Sequence, residues 1–195
     1  MTSQTPRRGR PTAAQREERR QRMLDVALPV FLSHGYQRTT IDQLAQAAGV
    51  TKRTIYTDYG DKAGLFAAMV AGLAAAISHD SSADGDNLFT LATRIVHRIQ
   101  SDELVGLHRL VIAEAGRFPD LARAFYERAD RRHIEALRDH IVAEHGAAAG
   151  DLAEHLFSLL LGTSHRRRLL GVIPAPSRGV AESLARAAMD RLGLG

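Results

Sequence analysis

Apolar residues recur at every third or fourth position through most of this chain, and no stretch alternates in the two-residue period of a strand. That spacing points to an all-α fold. Thr12 and Gln15 form a capping-box pattern, in which each side chain satisfies the other's free backbone N–H, ahead of a first helix ending near His34. Its apolar stripe is Leu24, Ala27, Leu28 and Phe31, and Pro29 inside it predicts a kink or local break. A second capping box, Thr40 with Gln43, opens a short helix to Ala48. Thr51 caps another to about Thr57, and Asp61 caps a fourth to about Ser78. After a polar loop, 79–86, helical patterns continue over about 87–101, 103–116, 119–144, 151–170 and 177–192. That makes about nine helices.

The 195 residues allow one domain, or a small one followed by a larger one. With 45% hydrophobic and 25% charged residues, the chain has ample material for a core. Cysteine is absent, so disulfides and thiol chemistry are ruled out. No run approaches the ~20 apolar residues that cross a bilayer, and the N-terminus has no apolar signal segment, which fits a cytoplasmic protein. No glycine-rich phosphate loop, zinc motif or nucleophile elbow is present, so neither an enzyme nor a cofactor is expected. No histidine spacing calls for a metal; His140 and Glu144, one turn apart, read as a solvated pair. The distribution of charge is more informative. Residues 1–62 hold eleven Lys and Arg against six Asp and Glu, and residues 63–195 hold fifteen against sixteen. The whole basic excess is N-terminal, which fits a polyanionic partner there.

Two short helices joined across Gly49 make a helix-turn-helix pattern, TIDQLAQAAGVTKRTIYTDY over 40–59. Gly49 permits positive φ in the turn. Ala45 and Ala48 are small where the helices cross, and Ile41, Leu44, Val50 and Ile55 face inward. That leaves Lys52, Arg53, Thr54 and Tyr56 outward on a helix starting at Thr51, which fits a DNA major groove. Lys52 and Arg53 suit guanine, Thr54 either a base or a thymine methyl, and Tyr56 a phosphate. Thr40 and Lys62, each at a helix start, suit phosphates. Residues 1–11 read as a flexible basic arm. Its Arg-Gly-Arg-Pro fits either an AT-hook core, with Arg8 and Arg10 in a narrow minor groove, or an ordinary basic tail.

The stretch 23–69, with GYQRTTIDQLAQAAGVTKRTIYTDYGDKAGLFAAM, resembles the DNA-binding domain of the TetR family of repressors. LHRLVIAEAGRFPDLARAFYE (107–127) and HRRRLLGV (165–172) resemble its AefR-like branch. Three positions depart from the family pattern: Pro29, Arg53 where glycine is common, and Asp58 where tyrosine or histidine is common. An acid at 58 opposes phosphate unless it turns back onto Lys62 or Arg53. The resemblance implies a three-helix DNA-binding domain (12–62) and a helical effector-binding and dimerisation domain (63–195). It also implies a homodimer built on the last two helices. Stripes there are Leu152, Leu156, Leu159, Leu160 and Thr163, then Val180, Leu184, Ala187, Ala188 and Leu192. The implied partners are a roughly palindromic double-stranded operator and a small effector of unread identity, with no membrane. Candidate effector residues are His97, Leu107, His108, Val111, Glu114, Phe125 and Tyr126, beside Met69, Leu73 and Phe89. The run Arg166–Arg168 reads as surface charge. An activator, or an architectural DNA-binding protein without an effector, shares these features.

Overall fold

The computed structural model describes residues 13–78 and 87–195. The arm with Arg8 and Arg10, the Thr12 cap and the loop 79–86 lie outside the described residues. Among those described there are nine helical rods and no strand. They are α1 (Ala13–His34), α2 (Ile41–Ala48), α3 (Lys52–Tyr59), α4 (Lys62–Ser78), α5 (Leu88–Ile99) and α6 (Asp102–Glu114), then α7, α8 (Leu152–Leu169) and α9 (Arg178–Arg191). The rod α7 has two α-helical stretches, Pro119–Phe125 and Arg131–His145, joined by a π-helical turn, Tyr126–Asp130. No helix among the described residues is long and apolar enough to cross a membrane.

Local chemistry sets most boundaries. Thr40 accepts from the Gln43 N–H while Gln43 Oε1 accepts from the Thr40 N–H, closing the capping box of α2. Thr51, Asn87, Ser101 and Ser177 cap α3, α5, α6 and α9, each accepting one backbone N–H. Asp61 accepts from the Gly64 N–H at 2.7 Å at the start of α4. Helix α1 runs unbroken through Pro29, contrary to the expected break. Pro29 and Asp25, whose carbonyl loses its partner, are both exposed, so water can satisfy that carbonyl.

The rods pack around one contiguous core running from Met23 to Leu194. Helix α4 is its axle: it touches α1 and α3 at one end, and α5 and both stretches of α7 further along. Where the first four helices meet the rest, Phe31, Tyr36, Phe66 and Phe118 form an aromatic cluster with centroids 5.0–5.6 Å apart.

Two rods depart from simple periodicity. In α7 the inward positions are Leu121, Phe125, Ala129, His133, Leu137 and Ile141, each four apart. A four-residue step drifts about 40° around an α-helix. The π-turn absorbs an extra residue and keeps Ala129 and His133 on one face. In α8 the backbone breaks at Gly162 (φ 46°, ψ −159°). The buried stripe Ala153, Leu156, Phe157 and Leu160 would continue through Thr163, Ser164 and Arg167. The break shifts the phase, so His165 and Arg168 turn inward and Thr163 faces solvent. Only glycine takes this conformation without strain, although a Cβ there would meet nothing within 4 Å. Gly162→Ala should therefore cost about 1–3 kcal/mol of stability, read by chemical denaturation; an unchanged midpoint would contradict this account of the break.

Candidate nucleic-acid interface

The helix-turn-helix is held from beneath. Ile55 and Leu44 are wholly buried, Ala45 and Ala48 lie in the crossing, and Gly49 takes the left-handed conformation (φ 64°, ψ 34°). Ile41 and Val50 are half-buried against the same core. This anchoring turns Thr51, Lys52, Arg53 and Tyr56 outward, Tyr56 with 53% of its surface exposed. Thr54 is half-buried, its hydroxyl 3.0 Å from that of Thr51. Thr40 stands exposed at the start of α2. Of the outward groups, Thr51, Lys52 and Arg53 open α3, Tyr56 lies a turn further along it, and Thr40 opens α2.

Several of these groups already have partners. Lys52 Nζ lies 2.6 Å from Asp42 Oδ1, and this hydrogen bond raises its pKa. Both side chains are exposed, so DNA can compete for the lysine. Among the described residues Arg53 makes no ion pair. Asp58 does turn back, but onto neither expected partner: its Oδ2 lies 3.4 Å from Arg19 Nη2 on α1. The next residue does the same, with Tyr59 Oη donating to the Arg20 carbonyl at 3.2 Å. The acid at 58 is thereby spent within the fold.

Lys62 requires a correction. Its ammonium donates to the carbonyls of Tyr36 (2.7 Å), Gln37 (3.2 Å) and Thr39 (2.9 Å) and sits 4.5 Å above the Tyr36 ring. Burial lowers its pKa. All three protons are engaged, so the side chain staples the α1–α2 turn to α4 and is not free for a phosphate.

The same turn is gripped from the other half. Glu114 Oε1 accepts from the Gln37 N–H at 3.2 Å, and Arg117 Nη1 donates to Gln37 Oε1 at 2.6 Å. Glu114 is therefore a contact between the two halves.

A cavity of about 40 Å³ lies between α4, α5, α6, α7 and α8. Of the expected effector residues, Leu107, His108 and Phe125 line it, as does Leu73. Val111 and Met69 are buried in the core instead. Tyr126 is exposed on the far side of the π-turn, and His97 is exposed beside Phe89 in a groove between α5 and α9. The missed lining residues include Asp130 and His133, turned inward by the π-turn that periodicity alone does not reveal. His108 Nδ1 lies 3.0 Å from His165 Nε2. Burial lowers the pKa of His108, and those of His133 and His165 to about 4. His140 and Glu144 do not pair: His140 Nδ1 lies 3.0 Å from the Ala136 carbonyl, and Glu144 accepts from the Leu88 N–H at the start of α5.

Arg168 corrects the reading of 166–168 as surface charge. Arg166 and Arg167 are exposed, but Arg168 is buried. It donates to the carbonyls of Gln100 (2.9 Å) and Ile173 (2.7 Å) and to Asp102 Oδ1 (2.5 Å). The two dimer stripes are also split: Leu156, Leu160 and Ala188 belong to the chain's own core. Leu152, Leu159, Leu184 and Leu192 are half-buried, and Thr163, Val180 and Ala187 are exposed.

Two family models match. Residues 23–69 fit bacterial regulatory proteins of the tetR family, and 86–191 fit the C-terminal domain of AefR-like transcriptional repressors. The HTH-type transcriptional regulator SrpR of Pseudomonas putida is 44% identical over 62 residues, 32% of this chain and 29% of that protein. AcrR of Shigella flexneri is 32% identical over 110 residues, 53% of this chain and 50% of that protein. The chain thus spans half or less of the length of these two curated relatives. A TetR-family regulator structure from Mesorhizobium loti superposes with a TM-score of 0.70 at 26% identity, covering 93% of this chain and 97% of that one. With the second model alone covering more than half its length, the chain belongs to the TetR family of helix-turn-helix transcriptional regulators.

Proposed function

We propose that this protein is a cytoplasmic repressor that binds an operator of two-fold symmetry as a homodimer and leaves it when a small molecule enters the cavity between α4 and α8. The observation that carries the reading is the outward face at the start of α3, held in place by the fully buried Ile55. On it Lys52, Arg53 and Thr54 read bases, while Thr40, Thr51 and Tyr56 hold phosphates, helped by backbone N–H groups beside Lys62. Arg8 and Arg10 add attraction from the arm. Residues 12–62 are the reading head and 63–195 the sensor, paired through the exposed remainder of the α8 and α9 stripes. Val70, Leu73 and Ala74 line the cavity on the same helix whose first residue staples the α1–α2 turn, so parting the cavity walls moves the reading head.

Selection of bound duplexes from random sequence tests this. An inverted repeat is expected, with half-site centres about one helical turn (~34 Å) apart or a multiple of it. Recovery of unrelated sequences, or of a single unrepeated half-site, would overturn it.

A further inference from the structure

Of the groups facing the cavity, Asp130 is the one without a structural task. It sits in the π-turn, where the extra residue brings it to the cavity wall beside Ala129. Among the described residues no hydrogen bond or ion pair reaches its carboxylate. Burial pushes its pKa up to about 6. At neutral pH it is still mostly ionised. The other titratable groups here, His108 and His133, are neutral at that pH, so they can hydrogen-bond but cannot balance the charge. Most of the remaining wall is aliphatic, with the Phe125 ring beside His108 at 5.2 Å between centroids.

From this we infer that the effector is a compact organic cation, its positive centre against the Asp130 carboxylate and its apolar body against Phe125, Leu73 and Leu161. The inference rests on the proposed repressor reading and adds the chemical class of the ligand. Three ligand classes compete for the site. An anion would be buried against a like charge. A neutral apolar molecule would strip the remaining water from an unpaired carboxylate. A cation repairs the charge as it fills the space, and an aromatic ring nearby favours it further. The cavity now holds no more than a few waters, so a ligand must part α6 and α7, and it selects an opened form.

Phenyltrimethylammonium and tert-butylbenzene share a shape and differ in charge. Binding of each to the full-length protein is measured by calorimetry or ligand-observed NMR. The cation should bind at least tenfold more tightly than its neutral counterpart. Asp130→Asn should remove that preference, lowering cation affinity at least tenfold while tert-butylbenzene stays within twofold. Asp130→Glu, which keeps the charge, should restore it. Equal binding of both probes, no saturable binding of the cation, or a cation affinity indifferent to Asp130→Asn would each overturn the inference. Operator binding by the same proteins is measured alongside. Intact operator binding without a cation preference would sink only the ligand class. A chain that prefers the cation but ignores duplex DNA would sink the repressor reading instead.

Discussion

Tyr56→Ala is expected to lower operator affinity by roughly 30- to 1000-fold while the protein stays folded. A single lost polar contact to DNA costs about 1–2 kcal/mol. A symmetric dimer loses it twice, and about 2–4 kcal/mol converts to that range. The fold should tolerate the change because the ring stands in solvent while Ile55, its neighbour, carries the packing. Lys52→Ala should also weaken binding, with a different signature. The dimer loses two guanine contacts, so the preference for that base in each half-site should relax along with the affinity. Inside the protein Lys52 loses only its exposed pairing with Asp42. Anisotropy titrations on the selected operator and on one with that guanine replaced, paired with thermal unfolding, read both variants. Operator affinities within threefold of wild type for both would contradict the proposed docking.

Arg168→Met should destabilise the protein by about 3–5 kcal/mol. Methionine matches much of the arginine's length but leaves the buried carbonyl of Gln100 and the part-buried one of Ile173 without donors. The ion pair matters less than those carbonyls, because Asp102 is largely exposed. Arg168 joins the α5–α6 corner to α8 and to the segment leading into α9, so its loss should also loosen the surface proposed for dimerisation. Denaturant unfolding gives the first quantity and sedimentation the second. Arg167→Met, one residue away and exposed, is the control and should be near neutral. Equal losses in the two variants would refute the role given to Arg168.

The legible features are those settled within a few residues. Thr40 with Gln43, Thr51 ahead of α3, and Gly49 in the turn obey local capping and turn chemistry, so the helix-turn-helix is readable from residues close together in the chain. The inward set Leu44, Ala45, Ala48 and Ile55 comes from the same short period. Partners distant in the chain were not legible. Asp58 finds Arg19 on α1, 39 residues away, and Lys62 finds carbonyls more than twenty residues back. Glu114 meets Gln37 from 77 residues away in the chain. Two phase errors had a different origin. Periodicity assumes uninterrupted helices, and the break at Gly162 and the π-turn at 126–130 each rotate the residues beyond them. The first hid Arg168 and His165, and the second hid Asp130.

The grip on Gln37 and Tyr36 bears on protein engineering. Regulators of this architecture invite cassette exchange, in which one protein's reading head is spliced onto another's sensor. Here such a splice would cut through an aromatic knot: Phe118 packs edge-on against Tyr36, and Arg117 and Glu114 both hold Gln37. For the repressor proposed above, a chimaera cut near residue 62 without that knot should still bind DNA but no longer release it when the effector binds.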